Sequence, residues 1–365
     1  MAGSSLPLSH ARFASTRVFG SLDGLRCLSI LAVVWHHAAT GPRPLALARN
    51  GFIGVDLFFV ISGFLITTLL LRERTVRGTI SLRRFWIRRT LRIFPPYFAL
   101  LGAAAIALGL VFPTAQMRAP FFAELPFLAT YTSNWVEITT LFGITWSLAT
   151  EEQFYLLWPL VERFLARWVA PILVVGVALN QCLNFGLLDA QVEAVTGLHR
   201  SQLAVLQTTF TPILFGAALA HGLEHPAGFA RAARLLGARA AAPFALAAVV
   251  AIASVPGGLE GMPRLALHVA LTALVAACVL REDNGLRRLL AWRPVARLGA
   301  VSYGIYLYHL VALHGVHRLL GAASSNAVLF VSCAAVSVVF AEISYRVLEA
   351  PFLRLKPRFE AAVSR

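Results

Sequence analysis

The sequence is poor in charge. Asp, Glu, Lys and Arg make up 13% of its 365 residues, and a single lysine, Lys356, stands beside 31 arginines. Soluble domains carry roughly a quarter charged residues. A water-soluble enzyme of this length is therefore excluded, and so is a disordered chain, which needs high charge and low hydrophobicity. Glycine (26) and proline (18) are not enriched, which excludes collagen-like and low-complexity chains. Cysteine is scarce. Cys27, Cys182, Cys278 and Cys333 are scattered through apolar stretches without metal-ligand spacing and read as small buried hydrophobes.

Apolar residues fill the gap: 58% of the chain, with a mean hydropathy of +0.72. That composition belongs in a lipid bilayer, which only helices or closed barrels can span, because every backbone polar group must be satisfied internally. Barrel strands alternate apolar and polar residues. This chain instead has unbroken apolar runs, and Trp168–Leu188, Ser201–Ala220, Ala240–Leu259 and Leu319–Ala341 contain no charged residue. Each approaches or exceeds the roughly 20 residues that a spanning helix needs. The expectation is an all-α integral membrane protein. Ten spans fall near 21–41, 51–71, 91–112, 148–165, 169–188, 201–220, 241–257, 264–281, 299–319 and 326–347, in one bundle.

The net charge of +15 sets the orientation. With the N-terminus in the cytoplasm, 25 Lys and Arg fall inside and 6 outside, while Arg26 lies within the first span. The positive-inside rule then places both termini in the cytoplasm, and no nucleic-acid partner is needed to explain the arginines. Residues 120–147, broken by Pro120, Glu124, Pro126 and Glu137, read as an outside loop or a re-entrant piece. No cleaved signal is expected, because Arg26 interrupts the first apolar run. The chain reads as one transmembrane domain over 21–352, between a short cytoplasmic segment (1–20) and a basic cytoplasmic tail (353–365).

Ionisable groups inside spans cost about 2.5–3.5 kcal/mol each on insertion scales, which makes them functional candidates. Arg26 and His37 are 11 residues apart. That spacing is close to three helical turns, so they share a face, roughly 16 Å apart along the axis. Arg26 is either an end-anchor that snorkels or part of a site, and His37 either a packing residue or a proton acceptor. A short connection makes the first two spans a hairpin in which Asp56 sits at the depth of His37. It can pair with that imidazole, pair with Arg43, or cap its helix. Eight arginines crowd residues 72–92. Arg88 with Arg92, and Arg89 with Arg92, have spacings that share a helical face. Guanidinium forks suit phosphates, and lipid headgroups are the alternative ligand. Before the fourth span, Thr150 and Gln153 fit a capping box, which places Glu151 and Glu152 in the first turn at the outer boundary. The ninth span opens with Ser302, Tyr303, Gly304, Tyr306, Tyr308 and His309, and Glu342 with Arg346 makes a pair near the end of the tenth.

In sequence these strings resemble the acyltransferase-3 family of membrane acyltransferases, over about Ser21 to Phe352. Arg26 and His37, with ten residues between them, match a basic-to-histidine motif that selects His37 over His36. Gly54 to Ile66, Arg88 to Pro95, Trp146 to Tyr155, Ser302 to His309 and Glu349 to Phe352 follow in the family's order. The resemblance implies a ten-helix bundle in a bacterial cytoplasmic membrane that moves an acyl group, usually acetyl, from cytoplasmic acyl-CoA to a hydroxyl. The acceptor would be a carbohydrate, a cell-surface glycan or a macrolide-like small molecule. No permanently bound cofactor or metal is implied, and no appended hydrolase-like domain is matched. On this reading His37 acts as general base or as a transient acyl carrier, and Asp56 or Glu152 orients it. Arg26, Arg88, Arg89 and Arg92 bind the donor. Glu151, Ser302, Tyr303 and His309 contact the substrate or its oxyanion. The rival reading is a transporter or flippase for an anionic or sugar-linked lipid, which explains the buried charges equally well but predicts internal repeats that the sequence does not show. The acceptor and the oligomeric state have no legible code.

Overall fold

Runs of apolar side chains leave the backbone no hydrogen-bond partner but itself, and the chain responds with helices. The computed structural model describes residues 9–16, 18–39, 46–112, 114, 116–198, 203–207, 209–256, 258–321 and 324–359. Arg17, Arg43, Arg200 and Arg365 of the charge balance lie outside the described residues, as do the outer parts of both expected cytoplasmic tails. Among the described residues every regular element is helical. The main ones are α1 (Gly20–Ala38), α2 (Ile53–Arg77), α3 (Leu82–Ile106), α4 (Arg118–Ala129), α5 (Thr145–Phe164), α6 (Val169–Asn184) and α7 (Thr211–Glu224). They continue with α8 (Pro226–Leu236), α9 (Ala241–Ala253), α10 (Met262–Leu280), α11 (Arg293–Ala300), α12 (Ser302–Leu320) and α13 (Asn326–Ser344).

Among the described residues six helices are long and apolar enough to cross a membrane. They are α2, α3 with its continuation to Val111, Ala166–Asn184 ending in α6, Ala204–Glu224 ending in α7, α10, and Asn326–Phe359 beginning with α13. The pair α8 and α9, bent by 73°, makes a seventh if it counts as one span. The other three expected spans coincide with α1, α5 and α12, of 19, 20 and 19 residues. These are long enough but too polar to meet the same standard, because they carry Arg26, Glu151, Glu152 and His309.

Glycine sets two decisive contacts. Gly78 ends α2 in the left-handed region at φ 71°, its amide reaching the Arg74 carbonyl at 2.8 Å. The crossing of α2 and α7 is backbone against backbone: a Cβ at Gly63 would collide with the Ile213 carbonyl, and one at Gly216 with the Val60 carbonyl. Small residues at such crossings let helices approach closely where lipid supplies no hydrophobic drive. Two apolar clusters result. One, with Phe59, Tyr97, Phe121, Trp158 and Ile305, surrounds the polar heart of the bundle. The other, with Phe64, Leu267 and Leu274, binds α2 to α9 and α10.

The segment left open between loop and re-entrant piece is a helix folded back on α3. Tyr97 donates to the Leu128 carbonyl at 2.8 Å and stacks on Tyr131 with ring centroids 4.6 Å apart. The buried Glu124 carboxylate ties the returning chain down by accepting from the Thr139 amide and hydroxyl, both at 2.7 Å, and from the Thr140 hydroxyl at 2.6 Å. Glu342 and Arg346 approach to 3.8 Å, but the stronger partner of Glu342 is Arg297, which makes two contacts of 2.7 Å with it.

Candidate active site

Five helices converge on one cavity. From α1 comes Arg26, and from α3 come Arg89 and Arg92. Ser62 of α2 and Ser147, Glu151, Glu152 and Tyr155 of α5 face them, and Ser302, Tyr303 and Tyr306 of α12 complete the wall. Val55, Phe58, Phe59, Ile93 and Leu148 supply its apolar surface. Three guanidiniums and two carboxylates thus share one chamber.

Helical periodicity explains the gathering. Ser147, Glu151 and Tyr155 lie four residues apart on α5, as do Ser302 and Tyr306 on α12, and each set shares a face. Ser62, Ser147, Tyr155 and Tyr306 were missed as site residues by sequence reasoning, and this spacing was the available signal. Ser62 donates to Glu151 at 2.6 Å, and Arg26 is steadied by Asp23 at 3.0 Å. Arg89 lies over the Tyr155 ring, its guanidinium carbon 3.9 Å from the centroid. Tyr303 spends its hydroxyl on the Ile93 carbonyl at 2.9 Å. Arg89 Nε and Glu152 Oε1 are buried without a hydrogen-bond partner among the described residues. Buried polar atoms are almost always paired, so this donor and this acceptor mark a place for a ligand.

Several expectations need correction. The proposed capping box is absent: α5 begins six residues earlier than a Thr150 cap would place it, at Thr145. Thr150 bonds back to the Trp146 carbonyl at 2.9 Å, and Gln153 instead reaches the Tyr131 carbonyl at 2.9 Å and Asn134 at 2.8 Å. Glu151 and Glu152 are consequently not first-turn acids but lie in the second turn of α5, sharing the cavity with the arginines of α1 and α3. Arg88 leaves the other arginines: it pairs with Glu73 at 3.2 Å and donates to the Phe359 carbonyl at 2.8 Å, and it does not line the cavity. One residue along a helix is a 100° turn, which puts Arg88 and Arg89 on different faces.

Of the alternatives left open for Asp56, the pairing with His37 is not formed. The Asp56 carboxylate, 1% exposed, faces α10, with Arg264 Nη2 at 3.1 Å and His268 Nε2 at 3.5 Å. Arg264 in turn lies over Phe52, 5.0 Å from its centroid. What stands beside His37 is His309 of α12, with Nε2 3.2 Å from His37 Nδ1 and ring centroids 4.9 Å apart. His36 turns the other way, to the Arg49 carbonyl at 3.1 Å and the Phe52 ring. Tyr306 lines the cavity, whereas His37 and His309 do not. Its hydroxyl is held by Ser147 at 2.6 Å and the Ile144 carbonyl at 2.8 Å, and its own carbonyl lies 2.6 Å from His309 Nδ1.

The arginines can hold an anionic ligand by charge and by forked hydrogen bonds, and the histidines one turn beyond Tyr306 can exchange protons. No group of three or more His, Cys, Asp or Glu among the described residues is arranged to bind a metal. A family profile described as an acyltransferase domain matches residues 19–346. Peptidoglycan O-acetyltransferase OatA of Listeria monocytogenes is 30% identical over 92% of the chain, which covers 56% of that protein. The putative peptidoglycan O-acetyltransferase YrhL of Bacillus subtilis is likewise 30% identical over 92% of the chain and 55% of its own length. A putative O-acetyltransferase of Staphylococcus aureus is 26% identical, over 93% and 58%. The chain therefore spans a little over half the length of these relatives. No solved structure matches it significantly.

Proposed function

The chain belongs to this acyltransferase family, and we propose that it takes an acyl group, acetyl by the relatives' example, from cytoplasmic acyl-CoA and places it on a hydroxyl of a cell-envelope glycan. The observation that carries this reading is the cavity in which Arg26, Arg89 and Arg92 converge. A CoA ester offers what that chamber lacks: phosphates for the guanidiniums and amide N–H groups for the orphaned Glu152 oxygen. The topology completing the reading is ten spans with both termini in the cytoplasm, α1, α5 and α12 being the polar spans around the site. The arginine ends of α1 and α3 then face the donor's side, and His37 lies towards the acceptor's.

In the reaction the acceptor hydroxyl gives its proton to His37 as its oxygen attacks the thioester carbonyl carbon. The carbon–sulfur bond breaks, the ester forms, and the departing CoA thiolate takes up the proton. General-base help of this kind is worth about 10²–10⁴-fold in rate. The Tyr306 ring has to turn aside for the thioester to reach the imidazole, and Glu151 with Ser62 shapes the path. Ser302 lies on the cavity wall, where a developing oxyanion can be met.

The test is purified protein in proteoliposomes with radiolabelled acetyl-CoA and peptidoglycan fragments as acceptor. Label appearing as a base-labile ester on the glycan supports the reading. Label left wholly on CoA across donors and glycan acceptors contradicts it.

A further inference from the structure

The two histidines beyond Tyr306 each meet a backbone carbonyl through Nδ1. His37 Nδ1 lies 3.0 Å from the Val33 carbonyl, and His309 Nδ1 lies 2.6 Å from the Tyr306 carbonyl. A carbonyl oxygen can only accept, so each Nδ1 must carry a proton. In a neutral ring that leaves the lone pair on Nε2. His309 Nε2 is therefore an acceptor, and it points at the proton on His37 Nδ1 from 3.2 Å. The reverse assignment would leave a lone pair on His37 Nδ1 against the Val33 carbonyl and would require a charged His309 at a site that is 0% exposed.

From this geometry we infer that His309 is the positioning residue of His37: its Nε2 shares the His37 Nδ1–H with the Val33 carbonyl, keeps the His37 lone pair on Nε2, and supports the imidazolium formed when Nε2 takes a proton. This inference rests on the reading of His37 as the base. A carboxylate usually fills such a role, and the one carboxylate at similar depth on α2, Asp56, is committed to Arg264 and His268. A neutral imidazole orients the ring without burying a second charge. His309 is itself held from behind, since its carbonyl accepts from Cys333 Sγ at 3.4 Å and its Nδ1 is fixed by Tyr306. Among the described residues His36 of the same helix also lies near His37, 5.1 Å away between ring centroids, with its own Nδ1 on the Arg49 carbonyl.

Two variants and one spectrum test it. His309→Leu removes the acceptor, while His309→Gln keeps an acceptor near the same point. His309→Leu should lower kcat by about 10–100-fold, the worth of a hydrogen bond to a charged group, with the KM for acetyl-CoA unchanged. His309→Gln should recover most of the loss. In the unaltered protein labelled with [15N]histidine, His37, assigned by comparison with His37→Ala, should carry its proton on Nδ1 and show a nitrogen–nitrogen coupling to His309. A wild-type kcat in folded His309→Leu, or a His37 protonated on Nε2 without that coupling, overturns the inference. The spectrum decides even if His309→Leu does not fold. Full activity in His37→Ala would instead sink the base itself, so the two failures are distinguishable.

Discussion

Arg89 lies over the ring of Tyr155, its guanidinium carbon 3.9 Å from the centroid, so a guanidinium delivered by α3 is held by an aromatic face of α5 in the shared cavity. Its Nε has no protein partner among the described residues. Arg89→Ala and Arg92→Ala should each raise the KM for acetyl-CoA about tenfold or more, the cost of losing a charge-assisted contact. Arg88→Ala should leave it within about twofold, because Arg88 is engaged with Glu73 outside the cavity. Arg89→Lys should rescue poorly, since an ammonium neither forks nor stacks as a guanidinium does. Steady-state kinetics with varied donor separate these cases.

Asp56 is a clamp between α2 and α10 on this geometry. Asp56→Ala leaves Arg264 and His268 without their shared carboxylate. Arg264 is partly exposed, so the cost should be about 2 kcal/mol, below the value for a wholly buried pair. Thermal unfolding in detergent should show the loss, and Asp56→Ala with Arg264→Ala should recover part of it. A donor KM and a kcat within a few-fold of wild type in surviving Asp56→Asn would fit a clamp. A loss as deep as that of His37→Ala would make Asp56 part of the chemistry.

How much of this was visible in the sequence depends on how far each partner lies along the chain. Arg26 is legible as a charge inside an apolar run, because its cost in lipid requires a reason; Arg89 and Arg92 are legible as crowded arginines that share a helical face, and Glu151 and Glu152 as adjacent acids near a helix start. The helical character of the chain is legible from the same runs. Which of Arg88 and Arg89 leaves the cavity is not, since Glu73 captures Arg88 across a turn whose geometry the local spacing does not supply. The start of α5 was misplaced because Thr150 and Gln153 satisfy a local capping pattern, while Tyr131 and Asn134, from the folded-back segment, claim Gln153. The partner of His37 stayed open for the same reason: depth alone brings Asp56 near, but a helix has faces, and that of Asp56 turns to α10.

The crossing of α2 and α7 should be intolerant of size. Gly216→Ala places a methyl group against the Val60 carbonyl, and Gly63→Ala one against that of Ile213. Overpacking of this kind costs about 1–3 kcal/mol. Both variants should unfold at lower temperature in detergent, whereas Gly222→Ala, with open space around it, should not.

Orientation can be read from the two ends of α10. Glu260 precedes this helix and Glu282 follows it, and both are exposed. In a background without the four native cysteines, Glu260→Cys should react with a membrane-impermeant maleimide in intact spheroplasts. Glu282→Cys should react only after permeabilisation. The opposite pattern would reverse the assignment of sides.

The most direct test separates holding the donor from using it. His37→Ala protein in proteoliposomes should bind acetyl-CoA with wild-type affinity, while single-turnover transfer of the labelled acetyl group to a glycan hydroxyl falls by about 10²–10⁴-fold. His36→Ala should lose far less, since His36 faces the Arg49 carbonyl and Phe52. Transfer at the wild-type rate by His37→Ala would contradict the assignment of the imidazole as the group that activates the acceptor.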